Sequence, residues 1–220
     1  MRTFPGQLLI DEQQFIEKFS GIKAFLFDWD GVFNDGRKGI GRQSSFTETD
    51  SMGINLLRFS HWLKHNQQLP VTGIITGAEN EMAHSFAGRE HFHAVYSNFK
   101  NKAEAFTDLI NSFRLEPHEV AFVFDDVLDI AIAKQCGLRI AVSTVPGNWF
   151  NSYLKENKAA DYFTEGAGNQ FAIRELCELL INLNGNYTET LNQRIAFNED
   201  YVQYLQQRNN IEPLERKKSH

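Results

Sequence analysis

Lys23-Ala24-Phe25-Leu26-Phe27-Asp28-Trp29-Asp30-Gly31-Val32-Phe33 decides the fold. A continuous apolar run that stops at two carboxylates and a glycine reads as a buried strand with its acidic residues at the C-terminal end. Open α/β sheets bind their ligands at that end. Side chains two apart on an extended backbone leave the same face, which predicts one pocket for Asp28 and Asp30, with Trp29 turned into the core and Gly31 permitting a sharp exit. Two neighbouring carboxylates repel each other, and a divalent cation relieves that cost.

Working outward, residues 1–10 contain Pro5 and Gly6 and read as a loosely held lead-in. Asp11 caps a short helix that buries Phe15, Ile16 and Phe19 and ends at Gly21. On the other side of the strand, Gly36, Gly39 and Gly41 predict a hairpin or flap too short for a lid domain. A helix is expected over 51–65, a strand over 71–77, a helix over 79–88, a strand over 94–97 and a helix over 101–113. Val120 to Phe124 repeats the opening pattern, since it is apolar throughout and halted by Asp125-Asp126-Val127-Leu128-Asp129. A helix over 128–136 and a strand over 138–142 follow. Beyond them a helix over 149–157, a last edge strand over 161–163 and an amphipathic helix over 171–182 are expected. Residues 187–208 are helix-compatible but polar, a segment expected to pack on another subunit, and 209–220 read as a frayed tail. Strand-then-helix units in series predict an α/β, Rossmann-like parallel sheet with helices on both faces. The division is an N-terminal lead-in with its helix (1–20), the sheet domain (21–184) and a helical extension (185–220).

Composition narrows the function classes. The chain has 220 residues, 42% hydrophobic and 23% charged, with a formal charge of −6. That balance argues against a general nucleic-acid binder, which gathers Lys and Arg against phosphates. No 18-residue apolar run or signal pattern is present, so a soluble, cytoplasmic protein is expected. Cys136 and Cys177 sit in apolar helical patterns and read as buried free thiols. His91-x-His93 reads as a surface pair, Arg216-Lys217-Lys218 as a solvated tail, and the flap glycines lack the placement of a dinucleotide loop.

Parallel strands deliver their C-terminal ends to one rim, which predicts that Asp28 and Asp30, Thr76, and Asp125 with Asp126 and Asp129 converge. Lys102 or Lys100, at the start of the following helix, reaches the same rim. Carboxylates for a hard cation, a lysine and a hydroxyl make a site for a dianionic phosphate, and Mg2+ suits it because that ion needs few protein ligands. Asp28 is the expected nucleophile, forming an aspartyl-phosphate that water hydrolyses. Asp30 is the expected general acid and base, while Thr76 and Lys102 hold the phosphoryl oxygens. Asp28, Asp30 and Asp125 are the expected metal ligands, supported by Asp126 and Asp129.

These residues resemble the haloacid dehalogenase-like phosphatases. Asp28-x-Asp30-Gly31 is similar to the first motif of that superfamily, Ile75-Thr76-Gly77 to the second, Lys102 to the third and Asp125-Asp126-x-x-Asp129 to the fourth, with the turn Thr76-Gly77 and Lys102 implied as the phosphate grip. Asp28-Trp29-Asp30-Gly31-Val32-Phe33-Asn34-Asp35-Gly36 resembles the small, nearly capless branch that includes phosphatases for 3-deoxy-D-manno-octulosonate 8-phosphate and acylneuraminate 9-phosphate. The resemblance implies a Mg2+-dependent hydrolase for a small phosphorylated sugar or sugar acid, assembled as a homotetramer in which a neighbour closes the site. Departures accompany the matches: Thr49 and Ala78 stand where the branch carries Arg, Ser51 where it carries Gly, and Phe124 replaces a glycine. The alternative is a catalytically weakened relative serving as a subunit or scaffold; transfer to an acceptor other than water shares the same intermediate.

Overall fold

The computed structural model describes residues 4–39, 44–144 and 149–218. β2 (Ala24–Phe27) is buried at every residue, as its unbroken apolar sequence requires. It lies between β3 (Val71–Ile75) and β5 (Val120–Phe124), parallel to both, with Ala24 beside Val71 and Val120 and Phe27 beside Ile74 and Val123. β4 (Ala94–Ser97) adds to β3, and β6 (Leu138–Ala141) then β7 (Tyr162–Phe163) add to β5, all parallel.

Alternation along β2 feeds two cores. Phe25 and Phe27 join Trp29 and Phe33 on the face covered by α1 (Glu12–Ser20), α2 (Glu48–Lys64), α3 (Glu81–Arg89) and α7 (Ala172–Asn184). Ala24 and Leu26 face the opposite layer, formed by α4 (Lys102–Phe113), α5 (Ile130–Ala133) and α6 (Trp149–Glu156). Thr47 starts α2 by accepting the Asp50 N–H at 3.0 Å, so this helix begins earlier than its apolar stripe suggests. The Asp50 carboxylate is itself buried and accepts the Arg174 N–H at 2.9 Å, tying α2 to α7. Gly53 lets the two helices approach: a Cβ there would lie 3.2 Å from the Arg174 Cα and 3.3 Å from the Cys177 Cβ.

The ends of the chain differ from expectation. Gln7–Leu8 forms β1, paired antiparallel to β7, so the lead-in is a sheet strand and β7 is internal. The Gly6 N–H donates to the Tyr162 hydroxyl at 2.7 Å, which fixes this entry. Leu214–Lys217 forms β8, parallel to β4, so the tail is the opposite sheet edge, and the solvated basic run pairs with Glu79 and Glu104 through Lys217 and Lys218. Both strands are too short and too polar for an alternation signal; their backbone groups find partners at open edges. The polar segment is two helices, α8 (Tyr187–Ala196) and α9 (Glu199–Asn209), and α9 packs on α2 of its own chain. Its Tyr201 and Tyr204 hydroxyls donate to the Asn55 side chain and carbonyl at 2.9 and 3.0 Å, among Phe59 and Trp62. The expected helix 128–136 is a 3-10 turn at Val127–Asp129 running into α5. No large cap domain is inserted among the described residues, and residues 40–43 of the expected hairpin flap lie outside them. Cys136 and Cys177 are buried free thiols. Among the described residues no helix is long and apolar enough to cross a membrane.

Candidate active site

The parallel strands bring their C-terminal ends to one rim, where a cavity of about 510 Å³ opens over Asp28, Thr76, Lys102, Asp125 and Asp129. Asp28 follows the last residue of β2, its N–H donating to the Val123 carbonyl at 2.9 Å, which continues the strand pairing to the mouth of the cavity. Asp125 directly follows β5, Asp129 closes the 3-10 turn, and Lys102 opens α4.

Carboxylate oxygens of Asp28, Asp125 and Asp129 lie within 4.8 Å of one another. Lys102 Nζ sits between two of them, 2.7 Å from Asp28 Oδ1 and 2.6 Å from Asp129 Oδ1. Burial, then its three acidic neighbours, pushes Asp125 up to about 8. Burial and Asp28 push Asp129 up to about 7. Asp28 is likewise raised by burial, against the pull of Lys102. Burial alone would lower the Lys102 pKa, but Asp28 and Asp129 outweigh it and hold the ammonium charged. One lysine therefore faces three carboxylates, and the balance favours holding protons unless more positive charge arrives. Asp125 Oδ1 and Asp129 Oδ2 are buried with no hydrogen-bond partner. Hard oxygen donors, surplus negative charge and two unpartnered buried oxygens fit a divalent cation of the Mg2+ kind.

The remaining expected residues line the same cavity outside the three-carboxylate group. The Asp30 carboxylate is not part of the three-carboxylate group: it pairs with Lys38 and accepts from Asn80 Nδ2 at 3.4 Å. β2 ends at Phe27, so the strand alternation that would align Asp30 with Asp28 does not extend that far. Asp30 still lines the cavity. Asp126 is exposed, its Oδ1 accepting the Val127 N–H at 2.6 Å and starting the 3-10 turn, while Asp129 joins the cluster directly. Thr76 is buried at the end of β3, and Gly77 packs close to the Lys102 side chain. Trp29 is fully buried in the core. His91 and His93 form no common site, because His91 Nδ1 bonds the Ile211 carbonyl at 3.0 Å and His93 Nδ1 accepts the Thr72 N–H at 3.1 Å.

Sequence reasoning missed Lys38 and Asn80. Lys38 carried no signal in the glycine-rich flap. Asn80 had one: it caps α3, accepting the Ala83 N–H, and Asn before an amphipathic run marks a helix start.

No family model matches the sequence. The 3-deoxy-D-manno-octulosonate 8-phosphate phosphatase KdsC of Escherichia coli K12 is 29% identical over 184 residues, covering 82% of this chain and 90% of that one. A putative HAD superfamily (subfamily III A) hydrolase from Legionella pneumophila has the same architecture at TM-score 0.68 and 28% identity, over 87% of this chain and 95% of its own. The 3-deoxy-D-manno-octulosonate 8-phosphate phosphatase of Moraxella catarrhalis, whose structure holds a magnesium ion, a phosphate ion and KDO, shares the fold at TM-score 0.68 and 23% identity, over 83% and 99%. Sheet order, rim and relatives together define a haloacid dehalogenase-like hydrolase of the phosphoric monoester class. Within that class the chain is similar to the KdsC phosphatases.

Proposed function

We propose that the protein is a Mg2+-dependent phosphatase of small phosphorylated sugars or sugar acids, working through an aspartyl-phosphate on Asp28. The observation that carries this is the buried Asp28 carboxylate, held 2.7 Å from Lys102 within a three-carboxylate group that has two unpartnered oxygens. The relatives' octulosonate substrate supports the sugar-acid class.

Asp28, Asp125 and Asp129 would hold the metal, which supplies positive charge to the phosphoryl oxygens and to the carboxylates that crowd the site. An Asp28 carboxylate oxygen attacks phosphorus, forming the O–P bond as the bond to the sugar oxygen breaks. Asp30 gives its proton to the departing alkoxide, then takes one from the water that attacks the acyl phosphate and releases inorganic phosphate. For this Asp30 must exchange its contact with Lys38. Lys102 and the Thr76 hydroxyl steady the phosphoryl oxygens through both displacements. Assembly as a homotetramer is part of the same reading, supported by the exposed apolar Val127 and Leu128 beside the catalytic rim and checked by light scattering.

Asp28→Asn should lower phosphate release from p-nitrophenyl phosphate by at least about a thousandfold while leaving the circular-dichroism spectrum unchanged. Chelation should abolish wild-type release, and added Mg2+ restore it. Wild-type rates in the Asn variant would remove the nucleophile and with it the mechanism.

A further inference from the structure

Lys100 lies in the turn between β4 and α4, two residues ahead of Lys102, and it is exposed while lining the catalytic cavity. The same cavity is lined by five carboxylates, those of Asp28, Asp30, Asp125, Asp126 and Asp129. The other cations nearby are committed: Lys102 to Asp28 and Asp129, and Lys38 to Asp30. Among the described residues Lys100 has no ion pair or hydrogen bond, although exposed Asp126 lines the same cavity.

Geometry assigns the end of the ligand that meets this charge. The Asp28 and Lys102 side chains are only 8% and 4% exposed, so the phosphoryl group sits at the closed end of the cavity. In-line attack by Asp28 places the leaving oxygen opposite the nucleophile, on the open side. The Gly77 turn abuts the turn that carries Lys100: a Cβ on Gly77 would lie 3.8 Å from the Phe99 carbonyl oxygen. Beside it Ala78, also in the lining, offers only a methyl group, which leaves space at the mouth for the leaving alcohol. A wall of carboxylates tolerates hydroxyls there but repels an anion unless a cation is provided.

Resting on the phosphatase reading above, we propose that Lys100 is a specificity-determining residue that selects leaving alcohols bearing a carboxylate, through a charge-assisted hydrogen bond at the cavity mouth.

The test compares wild type, Lys100→Ala and Lys100→Arg with Mg2+ on four probes. 3-Deoxy-D-manno-octulosonate 8-phosphate and 6-phosphogluconate carry a carboxylate, glucose 6-phosphate is neutral beyond its phosphate, and p-nitrophenyl phosphate is a generic aryl ester. Wild type should prefer at least one carboxylate-bearing probe to glucose 6-phosphate. The Ala variant should lose at least about tenfold more kcat/KM on that probe than on glucose 6-phosphate, chiefly through KM, and Arg should restore most of it. Equal losses on acidic and neutral probes, no loss, or a wild-type preference for the neutral sugar would overturn the role of Lys100. Turnover of p-nitrophenyl phosphate alongside such a result keeps the phosphatase reading intact, whereas wild-type failure on all four probes removes both.

Discussion

Gly31 shows how tightly the rim is drawn at the scale of one residue. Its φ is +85°, in the left-handed region, and a Cβ placed there would lie 1.9 Å from Asp125 Oδ2. The glycine thus does two things at once: it turns the chain away from Asp28 and leaves room for the carboxylate that follows β5. Gly31→Ala combines backbone strain with displacement of Asp125, a group the mechanism assigns to the metal. The expected result is a loss on the order of 1–2 kcal/mol in unfolding free energy, read from the urea midpoint, together with weaker Mg2+ binding by titration calorimetry. Unaltered Mg2+ affinity in a folded Ala variant would show that Asp125 need not hold its present position. The same residues show what the sequence discloses. Asp28 and Asp125 were legible because each directly follows a buried strand, where direction is fixed by the ladder. Asp30 was legible as a lining residue of the same cavity but not in the direction of its carboxylate, because the strand stops before it and Lys38, from a loop with no periodic signal, orients it.

Among the elements, the inner strands were readable and the sheet edges were not. β2, β3, β4, β5 and β6 are apolar segments whose burial on both faces leaves a mark in composition. β8 has the sequence Leu-Glu-Arg-Lys and is largely exposed; it is a strand because β4 offers an unpaired edge, a fact about the neighbour and not about the segment. Its anchoring is mostly backbone, with the Leu214 N–H on the His93 carbonyl at 2.9 Å and the Lys218 N–H on the Ser97 carbonyl at 3.2 Å. The Lys217–Glu79 and Lys218–Glu104 pairs are exposed on both sides and add little. A chain ending at Pro213 should therefore still fold, with its urea midpoint lowered by the equivalent of about 1–3 kcal/mol, the scale of a few ladder hydrogen bonds. It should also aggregate more readily, because the edge of β4 is uncovered. Light scattering that stays at the full-length value after truncation would mean the β4 edge is protected by some other part of the chain.

For the molecule as a whole, the joining of sheet and helices sets how stability responds to pH, and His93 is the group on which this can be isolated. His93 precedes β4, with its ring edge-on to Phe113 at 5.8 Å between centroids and its Nδ1 accepting the Thr72 N–H, so the native contact uses the neutral imidazole. Burial, and secondarily the Arg58 charge, pushes its pKa down to about 3 from an ordinary 6.5. Between those values the unfolded chain binds a proton that the folded one refuses, so stability falls as pH is lowered, beginning near 6.5 and continuing towards 3. The buried acids of the catalytic rim act in the opposite sense, because their pKa values are raised in the fold. A plain stability curve for the wild type mixes the two, and a difference between variants separates them. His93→Asn keeps an acceptor near the Thr72 N–H and has no titration of its own. It should be destabilising at pH 8, and the deficit relative to wild type should shrink as pH falls below 6.5, by at most about 1.4 kcal/mol per pH unit. Urea denaturation of both proteins at intervals from pH 8 to pH 4 provides the comparison, with the rim acids common to both and cancelling in the difference. A deficit that stays constant over that range would place the His93 proton on the folded protein, and the Thr72 N–H would then need a different acceptor.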